Sequence, residues 1–452
     1  MKETILKLIS EHPIKAAAVR TNLSGMNMVD IGDIFEDLSK EQTIQVFRLL
    51  PKDIAANVFA YIEPEKQQII VEALTDNEVG RIIEGLYADD AVDFIEEMPA
   101  NVVSRVLRSI NAEKRATINQ LLQYPDDSVG SIMTTEYMAL WEDYNLIEAF
   151  AKIRQTRIRG LHTCYVVRRD KLLVGTISLK TLLLAKEHER IGNLMQPTMI
   201  SARTLDDQEE AARLFRKYDL LSLPVVDKEG RLVGIITVDD AVEIVEEETT
   251  EDFERMAAIL PSEEPYLKTG VFKHSFRRVG WLLILMLSAI FTEMIISDFE
   301  GVLAAMPALM AFTPMLMDTG GNAGSQSTVL IIRGMALDEI YFKDIFKVWW
   351  REIRIGLVCG AALSIVNAVR ILIFNADADQ AMLTLTITLT ILTVVVLAKS
   401  LGCLLPMLAK KAKLDPAVLA LPIIKSMADV AALALFFALA SILIPELRNL
   451  NG

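Results

Sequence analysis

The stretch LPVVDKEGRLVGIITVDDAVEIV, residues Leu223–Val245, carries the clearest fold pattern in the chain. Leu223–Val226 and Leu232–Thr237 are short runs rich in apolar and β-branched residues, which predict two strands. Asp227–Gly230 lies between them and has the residues typical of a tight turn. Asp239–Glu247 then predicts a helix, because apolar residues return at three- and four-residue spacing. The stretch therefore predicts strand, turn, strand and helix.

This order of elements occurs twice. A helix predicted over Asp207–Tyr218 precedes the first of these strands, and an earlier segment repeats helix, strand, strand and helix at Leu146–Ile158, Cys164–Arg168, Leu172–Ser178 and Leu179–Ala185. Similar phrases, GSIMTTEYMAL and GNLMQPTMISA, open the two halves. Residues 128–248 are thus predicted to form a tandem α/β repeat with a period of about sixty residues.

Residues 1–127 predict an α-helical domain. Apolar residues recur at helical spacing in short segments, and prolines at Pro51, Pro64 and Pro99 mark breaks between them. Short helices repeated at similar intervals are typical of a small solenoid. The opening residues are too polar for a secretory signal peptide, which predicts that this part of the chain stays in the cytosol.

Residues 279–452 predict an all-α transmembrane domain. Five apolar segments are long enough to cross a bilayer: Val279–Ile296, Val302–Ile332, Ile355–Phe374, Met382–Leu408 and Pro416–Ile444. Lys and Arg cluster before the first segment, between the second and third, and between the fourth and fifth, whereas loops 297–301 and 375–380 have none. This alternation predicts five spans of the plasma membrane, with the N-terminus in the cytoplasm and the C-terminus outside. Residues 249–278 are predicted to form a connecting helix.

The charge of the chain is divided between these parts. Residues 269–452 hold 15 Lys and Arg against 13 Asp and Glu, so the net charge of −14 comes entirely from residues 1–268. An acidic cytosolic part argues against nucleic acid as a partner and suits cations, although ordinary solubility explains it equally well. The sequence has no phosphate-binding glycine loop, no nucleophile elbow and no HExxH motif, which argues against an enzyme or an ATP-driven pump.

Asp429 is the strongest candidate for a site that meets a permeating ion. It lies midway along the apolar segment KSMADVAALALFFALA, where an ionised carboxylate costs about 2.5–3.5 kcal/mol at the bilayer centre. Such a group must face protein, water or a cation, and a carboxylate oxygen is a natural ligand for Mg²⁺. A salt bridge to Lys425, one helical turn away, is the alternative explanation.

The stretch PMLMDTGGNAGSQS, Pro314–Ser327, is the second unusual feature of the membrane domain. Its glycines, Gly320, Gly321 and Gly324, predict a break in the helix, and Asn322 adds an amide at membrane depth. Irregular backbone at this depth is tolerated where it lines a cavity, so its carbonyl oxygens are candidate ion ligands. Close packing of small residues between helices is the alternative.

These motifs resemble a known family. The repeat resembles a pair of cystathionine-β-synthase-type (CBS) domains, and together with PMLMDTGGNAGSQS, the phrase LDPAV (Leu414–Val418) and Asp429, nearly the whole chain is similar to the MgtE family of magnesium transporters. The resemblance implies a homodimer with five spans per subunit and a pore between subunits. It also implies cytosolic domains that close the pore when internal Mg²⁺ is high.

The resemblance also implies roles for particular residues. Asp429 would hold the permeating hydrated Mg²⁺, with Asn322 and Gly321 in the facing pore motif. The regulatory metal ligands would be Asp89, Asp93, Asp207, Glu209, Asp219, Asp240, Glu243, Glu248, Glu251 and Asp252. Adenine nucleotide is a further expected ligand, because Thr237 and Asp240 fit a ribose-contacting T-x-x-D pattern. The first repeat has Ser178 and Thr181 at the matching positions.

Two residues depart from the family's pattern. Lys425 lies one turn before Asp429, and Asp318 stands where the family commonly has Gly. We expect these two to form a compensating ion pair, because either charge buried alone would be costly. The departures leave two other functions open: a Mg²⁺ carrier coupled to Na⁺ or H⁺, and a divalent-cation sensor that transports nothing.

Overall fold

The computed structural model describes residues 5, 7–9, 16–52, 54–156, 158, 161–197, 200–262, 266–374, 381–417 and 421–447. Loop 375–380, predicted to lie outside the cell, and Val418 of the LDPAV phrase fall outside these ranges. The chain divides into two compact units, Met1–Glu246 and Glu247–Gly452, which are described separately.

The first unit begins with a helical solenoid, as predicted. Nine short helices are described: α1 (Ala16–Leu23), α2 (Met28–Glu36), α3 (Lys40–Leu49), α4 (Ala55–Ala60), α5 (Pro64–Ala73), α6 (Asp76–Gly85), α7 (Ala88–Glu96), α8 (Ala100–Ser109) and α9 (Ala112–Leu121). Helices two apart in sequence pack together along most of this domain, from α1 with α3 to α7 with α9. Capping boxes at Ser39 and Thr75 begin α3 and α6 by satisfying backbone N–H groups that have no partner within the helix.

Two small sheets follow and confirm the tandem α/β repeat. The first repeat contains β1 (Ala139–Trp141), α10 (Leu146–Thr156), β2 (Thr163–Val167), β3 (Leu173–Ser178), α11 (Leu179–Leu184) and α12 (Ile191–Leu194). The second contains β4 (Ala202–Arg203), α13 (Gln208–Tyr218), β5 (Ser222–Val226), β6 (Leu232–Thr237) and α14 (Val238–Met256). In each sheet the first strand pairs parallel to the second and the second antiparallel to the third. The Tyr165 hydroxyl lies 2.5 Å from Ser222 Oγ and joins the two sheets.

The connection to the membrane helices corrects the helix predicted over 249–278. Helix α14 runs without interruption from the second repeat to Met256, and the next helix starts only at Val271. Ala258 has a positive φ of 56°, and Pro261 follows it, so the backbone leaves the helical conformation between these two helices.

The second unit contains the long apolar helices. They are α15 (Val271–Asp298), the short α16 (Glu300–Ala305), α17 (Thr313–Ala336), α18 (Ile345–Phe374), α19 (Ala381–Lys411) and α20 (Leu421–Leu443). Within the described ranges, α15, α18, α19 and α20 are long and apolar enough to cross a membrane. The polar residues of α17 keep its mean hydropathy below theirs, although it has 24 residues and packs against α19 and α20.

The predicted break at the glycines of α17 is wrong. The helix continues through Gly320, Gly321 and Gly324, and the interruption lies earlier, where Pro307 begins a 3-10 turn over Pro307–Phe312. The glycines instead permit close helix packing: a Cβ at Gly324 would lie 3.2 Å from the Ala398 carbonyl oxygen of α19. Because the backbone remains hydrogen-bonded within the helix, its carbonyl groups are not freed to bind an ion.

Candidate cation sites

Asp429 lies near the middle of α20 and has an unsatisfied carboxylate oxygen. Its Oδ1 atom is buried and accepts no hydrogen bond. The residue lines a cavity of about 480 Å³ together with Ser288, Thr292 and Glu293 of α15, Met317 of α17 and Ser426 of α20. A buried carboxylate oxygen without a partner is costly, so a cation or water at this position would stabilise it.

The glycine face of α17 lies directly against Asp429. A Cβ at Gly321 would lie 3.3 Å from Asp429 Oδ1 and 2.8 Å from Lys425 Cγ, so any larger residue here would press on both side chains. One position further along α17, Asn322 Nδ2 donates a hydrogen bond of 3.0 Å to Asp318 Oδ2. Lys425 and Asp318 both lie near enough to interact electrostatically with Asp429.

The expected ion pair between Asp318 and Lys425 is not formed in the described part of the chain. Asp318 instead accepts the hydrogen bond from Asn322, which lies four residues later on the same helix. The Lys425 stem packs on Gly321, and the residue is exposed within this unit. Neither charged group is buried by the packing of the described residues.

In the first unit, carboxylates from two helices come together. Asp89, Asp90 and Asp93 stand on α7, and Asp240 and Glu243 stand on α14. Asp89 Oδ1 is buried without a hydrogen-bond partner. Burial, then the charges of Asp90 and Asp240, raises the pKa of Asp89 well above its usual range. This cluster brings together Asp89, Asp93, Asp240 and Glu243 of the predicted regulatory residues.

The neighbouring carboxyls have raised pKa values for the same reasons. Burial, then the charges of Asp90 and Glu243, raises the pKa of Asp93 to about 7. Burial also raises the pKa of Asp240 to about 6, although hydrogen bonds from Thr237 act in the opposite direction. A bound divalent cation would favour the ionised forms and remove this repulsion.

Thr237 and Asp240 are brought together at the start of α14. Asp240 Oδ2 accepts hydrogen bonds from the Thr237 backbone N–H at 3.1 Å and from its hydroxyl at 2.6 Å. In the first repeat, Ser178 Oγ lies 2.8 Å from Thr181 Oγ1. A cavity of about 470 Å³ lies beside Ser178 and Lys180, in the half without the T-x-x-D pattern.

The other predicted regulatory residues have local roles in this structure. Asp207 Oδ1 accepts from the Glu209 backbone N–H at 2.8 Å, and Glu209 is paired with Arg213 at 2.6 Å. Asp219 lies at the opposite end of α13 with a φ of 50°, away from Asp207. Glu248, Glu251 and Asp252 all stand on α14, where Glu251 pairs with Arg255.

No group of three or more His, Cys, Asp or Glu side chains within the described ranges has the geometry to enclose a metal ion. Zinc-type coordination is therefore absent from these residues. Mg²⁺ commonly keeps several waters and uses one or two carboxylates, so pairs such as Asp89 with Asp240 remain compatible with it.

Two groups of charged residues were not expected from the sequence. Arg255 at the end of α14 donates a hydrogen bond to Asp415, in the turn before α20. Glu352 of α18 and Lys399 of α19 are buried on either side of Ser327 of α17. Lys399 lies within the apolar run of α19, so it could have been singled out in the same way as Asp429. Glu352 could not, because it precedes the third predicted span, which begins at Ile355.

Protein-family models match three parts of the chain. Residues 26–127 match the MgtE intracellular N domain, and residues 129–188 and 191–247 each match the CBS domain. Residues 313–439 match the MgtE model described as a divalent cation transporter. The order of these matches agrees with the order of domains predicted from the sequence.

Whole-chain relatives extend this similarity. The magnesium transporter MgtE of Thermus thermophilus is 34% identical over 433 residues, covering 94% of this chain and 95% of that protein. The magnesium transporter MgtE of Bacillus subtilis is 29% identical over 95% of this chain and 94% of its own length.

Solved structures match about half of the chain. The cytosolic domain of the Mg²⁺ channel MgtE in complex with ATP is 32% identical, covers 54% of this chain and all of its own, and has a TM-score of 0.50. The soluble part of a magnesium transporter is 25% identical, covers 55% of this chain and 97% of its own, and has a TM-score of 0.51. The resemblance predicted from the motifs is thereby confirmed, and the chain belongs to the MgtE family of magnesium transporters.

Proposed function

We propose that this chain moves Mg²⁺ across the plasma membrane along a path that passes Asp429. The observation that carries the proposal is the buried, unpartnered Oδ1 atom of Asp429 in an apolar helix, at the edge of a cavity. An ionised group at membrane depth requires a compensating partner, and a passing cation supplies one. The names of the whole-chain relatives support Mg²⁺ as that cation.

The groups near Asp429 suit a hydrated ion. The hydroxyls of Ser288, Thr292 and Ser426 line the same cavity, and Asn322 and Gly321 belong to the adjacent face of α17. Mg²⁺ releases its water reluctantly, so a site with one carboxylate and several hydroxyl or amide groups would bind the ion through its waters. Weak contacts of this kind allow an ion to leave as well as enter.

We propose that cytosolic Mg²⁺ closes the path by binding to the acidic first unit. Burial first, and then the charges of neighbouring carboxyls, raises the pKa values of Asp89, Asp93 and Asp240, so ionised side chains in this cluster repel one another. Mg²⁺ between them would offset this repulsion and favour a packed, closed arrangement. The remaining predicted ligands of this gate are Asp207, Glu209, Asp219, Glu243, Glu248, Glu251 and Asp252. The shift toward closure is set by how much more tightly the closed state binds Mg²⁺.

Adenine nucleotide is proposed as a second cytosolic ligand. A related cytosolic domain has been solved with ATP, and Thr237 and Asp240 of this chain form the hydrogen-bonded pair expected of a ribose contact. Asp240 also belongs to the carboxylate cluster, so nucleotide and metal would both act on the same side chain.

We further propose a homodimer in the plasma membrane, with the N-terminus in the cytoplasm and the C-terminus outside. Within the described residues, no side chain of α15 is buried, and its apolar surface would be covered by lipid and by a second subunit. The proposed role is transport rather than catalysis, since the whole-chain relatives are magnesium transporters.

The test is Mg²⁺ flux into liposomes that contain the purified full-length protein. Asp429→Asn should abolish flux, whereas the control Asp298→Asn, at the exposed end of α15, should retain it. Mg²⁺ on the cytosolic face should suppress wild-type flux. Dependence on an imposed H⁺ or Na⁺ gradient would instead indicate a coupled carrier. Binding of Mg²⁺ without flux would indicate a sensor, in which Lys425 occupies the position of the ion.

A further inference from the structure

Two oppositely charged side chains are buried inside the membrane unit, away from Asp429. Glu352 of α18 is 7% exposed and Lys399 of α19 is 5% exposed. Neither side chain reaches solvent, although long charged side chains near helix ends usually extend toward it. Charges buried this deeply in a membrane protein are costly, and they are usually paired or functional.

The hydroxyl of Ser327 on α17 lies between the two charges. It donates a hydrogen bond of 2.6 Å to Glu352 Oε2 and accepts one of 3.2 Å from Lys399 Nζ. Ser327 is fully buried. One uncharged hydroxyl therefore joins a carboxylate on α18 to an ammonium on α19, and the three side chains together form a neutral group.

The surrounding packing holds α17 tightly against α19. A Cβ at Gly402 would lie 2.3 Å from the Gly324 carbonyl oxygen, so the two backbones are in direct contact there. Thr328 Oγ1 donates to the Gly402 carbonyl at 3.2 Å. These contacts set the separation of α17 and α19, and the hydroxyl of Ser327 adds a directional contact that depends on the rotation of α17 about its axis.

We propose that Glu352, Ser327 and Lys399 form a brace that fixes the rotation of α17 and so positions its Asp318–Asn322 face against Asp429. This inference rests on the proposed function only for its consequence for ion flow. The position of α17 against α20, which the brace would fix, does not depend on ion flow. The three residues are positioning residues, since none of them lines the cavity beside Asp429.

A disulfide can report the position of α17 without any measurement of ion flow. The Cβ of Ala432 on α20 lies 3.6 Å from the position that a Cβ at Gly320 would take, which is within the range for a disulfide. A Cβ at Gly320 would also lie 2.9 Å from Val394 Cγ1, so Gly320→Cys and Ala432→Cys are combined with Val394→Ala; in the full chain this background should cross-link under mild oxidation. Each single-cysteine variant controls for the native cysteines.

The brace is then removed by two alternative sets of substitutions in the chain that carries the two engineered cysteines. Ser327→Ala deletes the bridging hydroxyl, and Glu352→Gln with Lys399→Met deletes both charges while leaving no unpaired ion. We expect either change to slow the disulfide about tenfold, because the directional contact of α17 is lost. Ser364→Ala is the matched control, because this serine is also buried, at 4% exposure, and its hydroxyl donates to Thr388 O of α19 at 2.8 Å.

Flux provides the second readout, without the engineered cysteines. The brace variants should change the Mg²⁺ concentration that gives half-maximal flux, whereas Ser364→Ala should not. Unchanged cross-linking in both brace variants, or an equal change in Ser364→Ala, would overturn the proposal. If both brace variants failed to fold, the three residues would be required for folding rather than for positioning α17, and the proposal would also be overturned. If the wild type showed no flux, the proposed function would be contradicted, but the cross-linking measurement would still test the brace.

Discussion

Arg255 and Asp415 form an ion pair between the last turn of α14 and the turn that leads into α20. Asp415 is fixed on its other side as well, because its Oδ1 accepts from the Ala417 backbone N–H at 2.7 Å. Arg255 also pairs with Glu251 on its own helix. The C-terminal end of α14 is thereby linked to the segment that precedes α20, the helix that carries Asp429.

We expect Asp415→Asn to weaken this tie and to make closure less sensitive to cytosolic Mg²⁺. The amide oxygen can still accept from Ala417, so the main loss is the charge that attracts Arg255. A half-exposed ion pair of this kind contributes up to about 1 kcal/mol, so the half-inhibiting Mg²⁺ concentration should rise up to about fivefold. Flux measured at several internal Mg²⁺ concentrations tests this. Arg169→Gln, which removes the Arg169–Asp143 surface pair, is the control; equal shifts in both variants would contradict a specific role.

Asp89→Asn should stabilise the protein when no metal is present. The variant replaces a carboxyl that must bind a proton or keep a buried charge in the folded chain, because burial raises its pKa and its Oδ1 has no hydrogen-bond partner. We expect a gain of about 1 kcal/mol, which raises the melting temperature of a unit this size by about 2–4 °C. Melting of the first unit within the full chain in EDTA, and again in Mg²⁺, measures both this gain and a smaller stabilisation by Mg²⁺. Asp30→Asn, at an exposed position of α2, should change neither value. A lower metal-free melting temperature for Asp89→Asn would contradict the electrostatic account.

The pH dependence should follow the raised pKa values of Asp93 and Asp240. These carboxyls hold protons more tightly in the folded chain, with pKa values of about 7 and about 6, than in the unfolded chain. Their contribution to metal-free stability is therefore complete at low pH and is lost as the pH rises through 6 and 7. Melting in EDTA should show a more stable first unit at pH 5.5 than at pH 8.

Mg²⁺ binding should have the opposite pH dependence, because the ion must displace those protons. Its apparent affinity for the first unit should fall by up to about tenfold for each pH unit below 7 and for each proton released. Titration of Mg²⁺ against the purified protein at pH 6 and pH 8 measures this. Asp93→Asn should flatten the dependence, and an affinity independent of pH would show that Mg²⁺ binds elsewhere.

Gly402→Ala should destabilise the membrane unit. The added methyl group would lie 2.3 Å from the Gly324 carbonyl oxygen, so α17 and α19 must separate. Such overpacking typically costs about 1–3 kcal/mol. Gly280→Ala on α15 is a matched control, since its Cβ would meet no atom within 4 Å. Thermal unfolding of both variants in detergent should separate them, and equal melting temperatures would mean that the two helices are not held at this contact.

Thr237→Val should weaken binding of ATP, because it removes the hydroxyl that lies 2.6 Å from Asp240 Oδ2. Thr181→Val is the control in the first repeat: it removes one hydroxyl of the Ser178–Thr181 pair, in which Ser178 matches Thr237 and Thr181 matches Asp240. Calorimetric titration of ATP should show a loss of about tenfold for Thr237→Val and little change for Thr181→Val. The reverse result would place the nucleotide in the cavity beside Ser178 and Lys180.

The domain order and the tandem repeat could be predicted because each rests on a local pattern. Strand, turn, strand and helix follow one another within Leu223–Val245, and the structure has β5, β6 and α14 in that order. Asp429 could be singled out for a similar reason, since one ionised group stands out in an apolar run.

Most of the details that the sequence did not predict depend on contacts between distant segments, and one depends on a contact within a single helix. The glycines of α17 were predicted to break the helix, but they face neighbouring helices, and this packing preserves the helical backbone. Asp318 was paired with Lys425, although a closer partner, Asn322, lay on its own helix. Glu352 and Lys399 are 47 positions apart, and only the packing of α17, α18 and α19 brings them to one serine.

Asp240 Oδ2 accepts a backbone hydrogen bond, and its carboxylate also belongs to the proposed cation site. This combination has a consequence that hydrogen–deuterium exchange can detect. This oxygen accepts from the backbone N–H of Thr237 and so closes the first turn of α14. A bound ion that draws electron density from the oxygen, or turns the carboxylate toward itself, loosens that amide. Deuterium uptake at Thr237 would then increase as the ion binds, while amides further along α14 stay protected. Deuterium uptake at this one backbone amide would thus measure how far the carboxylate cluster is occupied by an ion.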